Sequence, residues 1–94
     1  MFAVTRLRVS PEAAPGLPAD LDRLLAARPG FLGGETGRCA DDPALWALVT
    51  RWDGVGAYRR ALSAAEVKVA GAPVWVHALD EPGVYLPEEG TRGG

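Results

Sequence analysis

Cysteine, histidine and lysine are almost absent from this chain. Its 94 residues include one cysteine (Cys39), one histidine (His77) and one lysine (Lys68). A single cysteine cannot close a disulfide within the chain. The histidine, cysteine and carboxylate residues also lack the spacing of a metal site. We therefore expect no disulfide framework, no bound metal and no cofactor.

Strong charge and long apolar runs are also lacking. The formal net charge is −2, and no run of lysines and arginines offers a surface for nucleic acid. No apolar run approaches the roughly 18–20 residues that a membrane span needs. The first residues lack the apolar segment and cleavage site of a signal peptide. We expect one small cytoplasmic domain, with neither nucleic acid nor membrane as a partner.

The most informative stretch covers residues 45–62. Its first eight residues, LWALVTRW, alternate in a way that predicts a strand with two largely apolar faces, ending at Trp52. An Asp-Gly pair follows, in which Asp53 is expected to cap the next helix. That helix has an apolar stripe facing the sheet, formed by Val55, Tyr58 and Leu62.

The other elements follow from similar patterns. Residues 2–9 alternate as a strand, leucines from position 17 onward recur with helical spacing, and Pro29-Gly30 ends that helix. Residues 31–40 predict a second strand whose glycines indicate a bulge or a close backbone approach, and residues 41–43 predict a hairpin turn. A capping box beginning at Ser63 starts another helical pattern, which Gly71 and Pro73 are expected to break or kink. Residues 75–79 fit either a last helical turn or extended chain.

A short final strand at residues 84–86 completes the order β-α-β-β-α-β, which is typical of the ferredoxin-like α+β fold. Residues 1–86 are expected to form this domain, with a disordered tail at 87–94. The fold has one four-stranded antiparallel sheet with helices on one face. Alternation divides the first strand into two faces: Phe2, Val4, Arg6 and Arg8, and Ala3, Thr5, Leu7 and Val9.

The sheet face without helices should carry apolar side chains from the first and third strands. Such a patch usually marks an interface, so we expect a homodimer that packs sheet against sheet. Arg6 and Arg8 lie on that face. They are expected to pair with acidic residues of the second subunit, or else to attract an anionic ligand.

Several segments together resemble the antibiotic biosynthesis monooxygenase (ABM) domains, over about residues 2–86. They are Val4 to Val9, Arg28-Pro29-Gly30-Phe31, Asp41-Asp42-Pro43, and Val49-Thr50-Arg51-Trp52 with Ala57-Tyr58. The resemblance implies a dimeric α/β barrel of two ferredoxin-like subunits, each with a cavity between helices and sheet. Some members oxygenate polycyclic aromatic polyketides without metal or flavin, and others cleave haem.

The haem-cleaving members use an asparagine, a tryptophan and a histidine, whose positions fall near Thr5, Ala61 and Gly71 here. None of the three is retained, and Gly71 has no side chain to bind iron. The resemblance therefore argues against haem degradation by this chain. Small residues at Ala61 and Gly71 should instead widen the cavity.

Five residues are candidates for a site between sheet and helices. His77 has a suitable pKa for proton transfer, and Tyr58 could hydrogen-bond a ligand oxygen; these two are the candidate catalytic residues. Thr5, Trp52 and Trp75 are the candidate substrate-binding residues, the tryptophans by stacking on a flat ring. Each has a structural alternative, since buried aromatic residues most often fill the core.

Two functions stay open. One is a cofactor-independent monooxygenase acting on a small, polyketide-like aromatic. The other is a non-catalytic dimeric protein that binds a small molecule or assists another protein. An open apolar cavity with two or three convergent polar groups would favour catalysis, and a filled interior the second function.

Overall fold

A computed structural model describes residues 1–10, 12 and 16–88 of the chain. Its elements, in chain order, are β1 (Phe2–Arg8), α1 (Leu17–Ala26), β2 (Phe31–Arg38), β3 (Leu45–Trp52), α2 (Val55–Ser63), α3 (Ala65–Trp75) and β4 (Val84–Tyr85). All strand pairs are antiparallel, and the sheet order is β2-β3-β1-β4. The predicted ferredoxin-like α+β fold is confirmed, with the second helical region divided in two. Residues 89–94 of the predicted tail lie outside the described residues.

The core lies between one face of the sheet and the three helices. Strands β1 and β3 form the sheet side of this core, because their alternate residues point toward the helices. Trp52 and Leu7, at most 1% exposed, are among the largest buried side chains. The helices contribute a matching set of buried apolar residues: Leu21, Leu25, Ala57, Tyr58, Ala61, Val67 and Val74. Removal of this apolar surface from water is the main term that stabilises the fold.

Two predicted helix caps are wrong. The residue that precedes α2 is Gly54, in extended conformation, and no side chain caps this helix. Asp53 instead bonds through its backbone, since its amide donates to the Gly30 carbonyl at 2.9 Å. At Ser63 the hydroxyl donates back to the Arg59 carbonyl at 3.0 Å, so it closes α2 instead of opening α3. A serine hydroxyl readily bonds the carbonyl four residues earlier, which competes with capping.

Helix α3 continues through Gly71 and Pro73, so of the predicted break or kink the break is wrong. A proline within a helix removes one hydrogen bond, here to the carbonyl of Val69 four residues earlier. Val69 is 76% exposed, so solvent can reach this part of the helix. After Trp75 the chain turns, and Ala78 then forms a single bridge to Leu7 of β1. Of residues 75–79, only Trp75 belongs to α3, so neither the helical nor the extended alternative describes the whole segment.

The predicted glycine bulge is confirmed as a shift in the β2–β3 register between Phe31 and Gly33. Just before β2, Gly30 has a φ of 89°, and a Cβ there would lie 2.5 Å from the Cβ of Ala57. Only glycine combines this backbone conformation with so close an approach. Gly30 thus brings the start of β2 against α2.

No helix in the described part of the chain is long and apolar enough to cross a lipid bilayer.

Candidate functional site

A cavity of about 220 Å³ lies between β1, α2, the end of α3 and the segment 78–84 that leads into β4. We call it the β1–α2 cavity. Three of the five candidate residues, Thr5, Tyr58 and Trp75, line it together. Trp52 and His77 do not. Apolar side chains such as Leu62 complete the wall, while the hydroxyl groups of Thr5 and Tyr58 and the charged side chains of Arg6 and Glu81 supply its polar atoms.

Tyr58 reaches the β1–α2 cavity because α2 turns its apolar stripe toward the sheet. The side chain is 7% exposed, between the buried residues Ala57 and Ala61. Burial raises the pKa of the Tyr58 phenol, and the Thr5 side chain lowers it by less. A phenol with a raised pKa keeps its proton at neutral pH. Tyr58 is therefore suited to donate a hydrogen bond to a ligand and unsuited to act as a base.

Trp52 lies beneath Tyr58. It is 1% exposed, and its ring centroid is 5.5 Å from that of Tyr58 and 5.3 Å from that of Phe31. Its indole Nε1 donates to the Thr50 hydroxyl at 2.8 Å, which satisfies the only polar atom of the ring. In this structure Trp52 supports the Tyr58 ring from the core side and has no face open to the cavity.

Trp75 forms one wall of the cavity at the end of α3. Its Nε1 donates to the Val67 carbonyl at 3.3 Å, eight residues earlier. The indole lies against Gly71, where the absence of a Cβ leaves room for it. Neither Gly71 nor Ala61 lines the cavity, so the predicted widening at these positions is not seen.

His77 lies in the turn after α3 and is half-buried. Its amide donates to the Val74 carbonyl at 3.0 Å, and its own carbonyl accepts from the Arg8 amide at 2.9 Å. These bonds fix the backbone of the turn, while the imidazole is not part of the cavity wall. Proton transfer by His77 stays a prediction.

Haem does not fit these residues. Gly71, at the position of the iron ligand that the resemblance implies, offers no donor atom, and the indole of Trp75 takes the space beside it. Iron in haem is normally held by a side chain such as histidine.

An ion pair that the sequence did not reveal stands at the edge of the cavity. Arg6 donates to Glu81 through two hydrogen bonds, Nε to Oε2 at 2.7 Å and Nη2 to Oε1 at 2.6 Å. The bonds from Arg6 hold the pKa of the Glu81 carboxyl below its usual range. Arg8 likewise pairs with Asp42 at 2.9 Å. Within the chain both arginines thus already pair with acidic residues, while pairing across a second subunit stays a prediction.

The opposite face of the sheet carries the predicted apolar side chains. The register places Val4 opposite Val49 and Arg8 opposite Leu45, with Ala47 between these pairs on the same face. Phe2 stacks on Tyr85 there, with centroids 5.4 Å apart. A groove of about 330 Å³ runs along this face beside Cys39 and Gly37. We call this surface the outer sheet face.

Comparison with known proteins places these features in a wider context. The family model described as antibiotic biosynthesis monooxygenase matches residues 1–72. No curated protein matches the chain at a significant level.

Solved structures share the fold at low sequence identity. SnoaB, a cofactor-independent oxygenase from Streptomyces nogalater, is 20% identical with a TM-score of 0.79, over 94% of this chain and 92% of its own. A candidate antibiotic biosynthesis monooxygenase from Deinococcus radiodurans is 18% identical with a TM-score of 0.77, over 99% and 97%. Another, from Chloroflexus aurantiacus, is 24% identical with a TM-score of 0.72, over 99% and 97%.

Proposed function

The chain belongs to the antibiotic biosynthesis monooxygenase family, and on this premise we propose that it is a cofactor-independent monooxygenase of a small, electron-rich aromatic compound. The observation that carries the proposal is the β1–α2 cavity, in which a protonated Tyr58 and Thr5 offer hydroxyl groups beside an apolar wall. An open pocket with a few convergent polar groups is the usual form of a small-molecule site.

The chemistry can proceed without a cofactor because an electron-rich phenol supplies its own electrons. A naphthol such as 1-naphthol, C₁₀H₈O, would lose its hydroxyl proton and transfer an electron to O₂. A bond between C4 and oxygen then forms, and loss of water leaves 1,4-naphthoquinone, C₁₀H₆O₂. One oxygen atom of O₂ enters the product and the other leaves as water, so no external reductant is consumed.

The residues would act by orientation and hydrogen bonding. Tyr58 and Thr5 would hold the substrate oxygen, and a donor aimed at a developing anion stabilises it strongly in a site that excludes water. Trp75 would stack on the ring, and Trp52 would keep Tyr58 in place from below. His77, two residues beyond Trp75, would accept the substrate proton through an intervening water, because its imidazole does not line the cavity.

The proposal predicts protein-dependent oxidation of 1-naphthol. We expect oxygen uptake equal to the quinone formed, and one ¹⁸O atom in each quinone when the reaction runs under ¹⁸O₂. An oxygen electrode and mass spectrometry measure the two quantities. Heat-denatured protein is the control for spontaneous oxidation. Binding of 1-naphthol without turnover would contradict the oxygenase function.

That outcome would favour the second candidate function, a non-catalytic protein that binds a small aromatic. The observation on its side is the shortage of bases in the cavity wall. Glu81 is engaged by Arg6, which lowers the basicity of its carboxylate, and the imidazole of His77 lies outside the wall.

We also propose that two chains associate through the outer sheet face. Apolar residues of β1 and β3 lie there without a covering element in the described part of the chain. A second copy would cover them by a two-fold arrangement, as the resemblance implies. The buried area should exceed about 1,200 Å² in total, the lower limit of specific interfaces.

A charge placed at the centre of this face should separate the subunits. We expect the wild type to have twice the mass of one chain at micromolar concentration, and Val49→Asp to have the mass of one, because a buried, unpaired carboxylate is costly. Light scattering after size exclusion measures both. Val69→Asp is the matched control, since Val69 is 76% exposed on α3. A wild-type monomer, or a dimeric Val49→Asp variant, would contradict the proposed interface.

A further inference from the structure

Gly71 and Trp75 form an interlocked pair, one turn apart on α3. A Cβ on Gly71 would lie 2.7 Å from Nε1 and 3.0 Å from Cδ1 of the Trp75 indole. Real Cβ atoms essentially never come as near as the first distance, so any side chain at position 71 would displace the indole. On its other side, the same Cβ would lie 3.7 Å from Cδ1 of Leu21. The missing side chain of Gly71 therefore leaves a narrow space between α1 and the indole, which we call the Gly71 slot.

The indole is also held by its polar edge. Its Nε1 donates to the Val67 carbonyl at 3.3 Å, and Val67 itself is fully buried in the core. The ring thus has a packing contact and a hydrogen bond on α3, while it lines the β1–α2 cavity. Two contacts of different kinds define its position better than packing alone.

We propose that Trp75, seated in the Gly71 slot, is the residue that limits the ligand to about two fused rings. This inference rests on the proposed function for its aromatic ligand class, and it adds a size limit that the family resemblance does not supply. An engineered apolar cavity of about 150 Å³ holds one benzene ring. The walls of the β1–α2 cavity enclose about 220 Å³, which is room for one or two rings, so a third ring would meet the Trp75 indole or extend out of the open side.

The size limit implies that substitutions at the two positions have linked effects. Removal of the indole by Trp75→Ala opens the end of the cavity toward the Gly71 slot, so a third ring gains space. Gly71→Ala instead keeps the indole and forces it out of its seat. A two-ring ligand then binds less tightly for either direction of movement. An indole that moves inward blocks the cavity, and one that moves outward loses contact with the ligand.

The test compares binding of 1-naphthol and 1-hydroxyanthracene, which carry two and three fused rings with the same hydroxyl group. For the wild type we expect the three-ring probe to bind about tenfold more weakly or worse, the order of selectivity that steric misfit gives in an apolar pocket. In Trp75→Ala we expect that preference to be lost or reversed. Isothermal titration measures all four dissociation constants.

The second half of the test separates the slot from a general effect on the helix. We expect Gly71→Ala to weaken 1-naphthol binding about tenfold and to shift tryptophan fluorescence, although alanine normally favours a helix over glycine. In the Trp75→Ala background the same substitution should change nothing further, because the clashing ring is gone. Gly56→Ala is the matched control, since Gly56 is exposed on α2 and its added Cβ meets only the flexible end of Arg60.

Each outcome has a defined meaning. If the wild type and Trp75→Ala show the same preference between the two probes, the size limit is overturned, and the slot is unaffected. An effect of Gly71→Ala that persists without the indole would overturn the slot. Should Gly71→Ala fail to fold, rescue of folding by Trp75→Ala supports the clash and failure of rescue overturns it. If 1-naphthol binds with the expected selectivity but is not oxidised, the size limit stands and only the oxygenase proposal falls.

Discussion

Replacement of Tyr58 by phenylalanine is expected to lower the turnover number for 1-naphthol by about 10²–10³-fold, the usual effect of removing one donor to a developing anion. The substitution deletes only the hydroxyl group and keeps the ring that packs on Trp52. Folding stability should change by about 1 kcal/mol or less, because the hydroxyl interacts with the protein through the single Thr5 side chain. Activity and stability are thus expected to separate at this position.

Oxygen uptake at saturating 1-naphthol measures the turnover number, and urea denaturation measures stability. Tyr85→Phe is the matched control, since Tyr85 is 44% exposed and stacks on Phe2 on the outer sheet face, away from the cavity. The control should keep wild-type turnover. A Tyr58→Phe variant that retains turnover within about twofold would remove Tyr58 from the proposed mechanism, since that change is far below the effect of an oxyanion donor.

Replacement of Trp52 by alanine is expected to reduce the free energy of unfolding by about 3–5 kcal/mol, the range for large aromatic residues in cores. The indole is 1% exposed, contacts Phe31 and Tyr58, and donates to Thr50, so its removal leaves a large void and an unpartnered hydroxyl. Small domains are stable by only about 5–15 kcal/mol. This single substitution should therefore remove a large part of the total free energy of unfolding.

Urea denaturation at one fixed protein concentration is the measurement, because the stability of an associating protein depends on concentration. Trp46→Ala serves for comparison. Trp46 is only half-buried on the same face of β3, so its replacement should reduce the free energy of unfolding by less. A loss below about 1 kcal/mol for Trp52→Ala would show that the core beneath Tyr58 is not packed as described.

Periodic patterns were enough to predict the framework of the fold. Alternation divided β1 and β3 into two faces correctly, and Leu7 and Leu48 are buried on the face toward the helices. Parity groups Thr5 with Leu7 and Val9, and the family resemblance, not parity, placed that face toward the helices. The stripe on α2 placed Tyr58 by the same kind of rule.

Contacts that depend on competing local bonds were harder to predict. Ser63 has the residue pattern of a cap, yet its hydroxyl bonds backward to Arg59. Whether Pro73 ends a helix depends on the surroundings of the carbonyl that it leaves free, which the sequence does not show. These choices are decided by tertiary packing and not by residue type.

The cavity could be predicted only in part, for a related reason. The sequence left open which way Trp52 points, and the structure turns its ring entirely into the core. Arg6 and Glu81 are 75 residues apart, and no spacing rule connects them. The position of the Trp75 indole depends on the missing side chain of Gly71, and this contact can be recognised only in the folded helix.

The weak attachment of β4 has a kinetic consequence. This strand pairs with β1 over two residue pairs, and the chain before it is tied down by Leu79 to Arg6, by Gly83 to Val4 and by the exposed Arg6–Glu81 pair. Segments held by so few bonds open long before the whole domain unfolds. Opening of residues 79–85 would then add a further route of escape from the cavity, which is already open on one side. Because salt screens an exposed ion pair, residence times should shorten as ionic strength rises, even where the fit inside the cavity is unchanged.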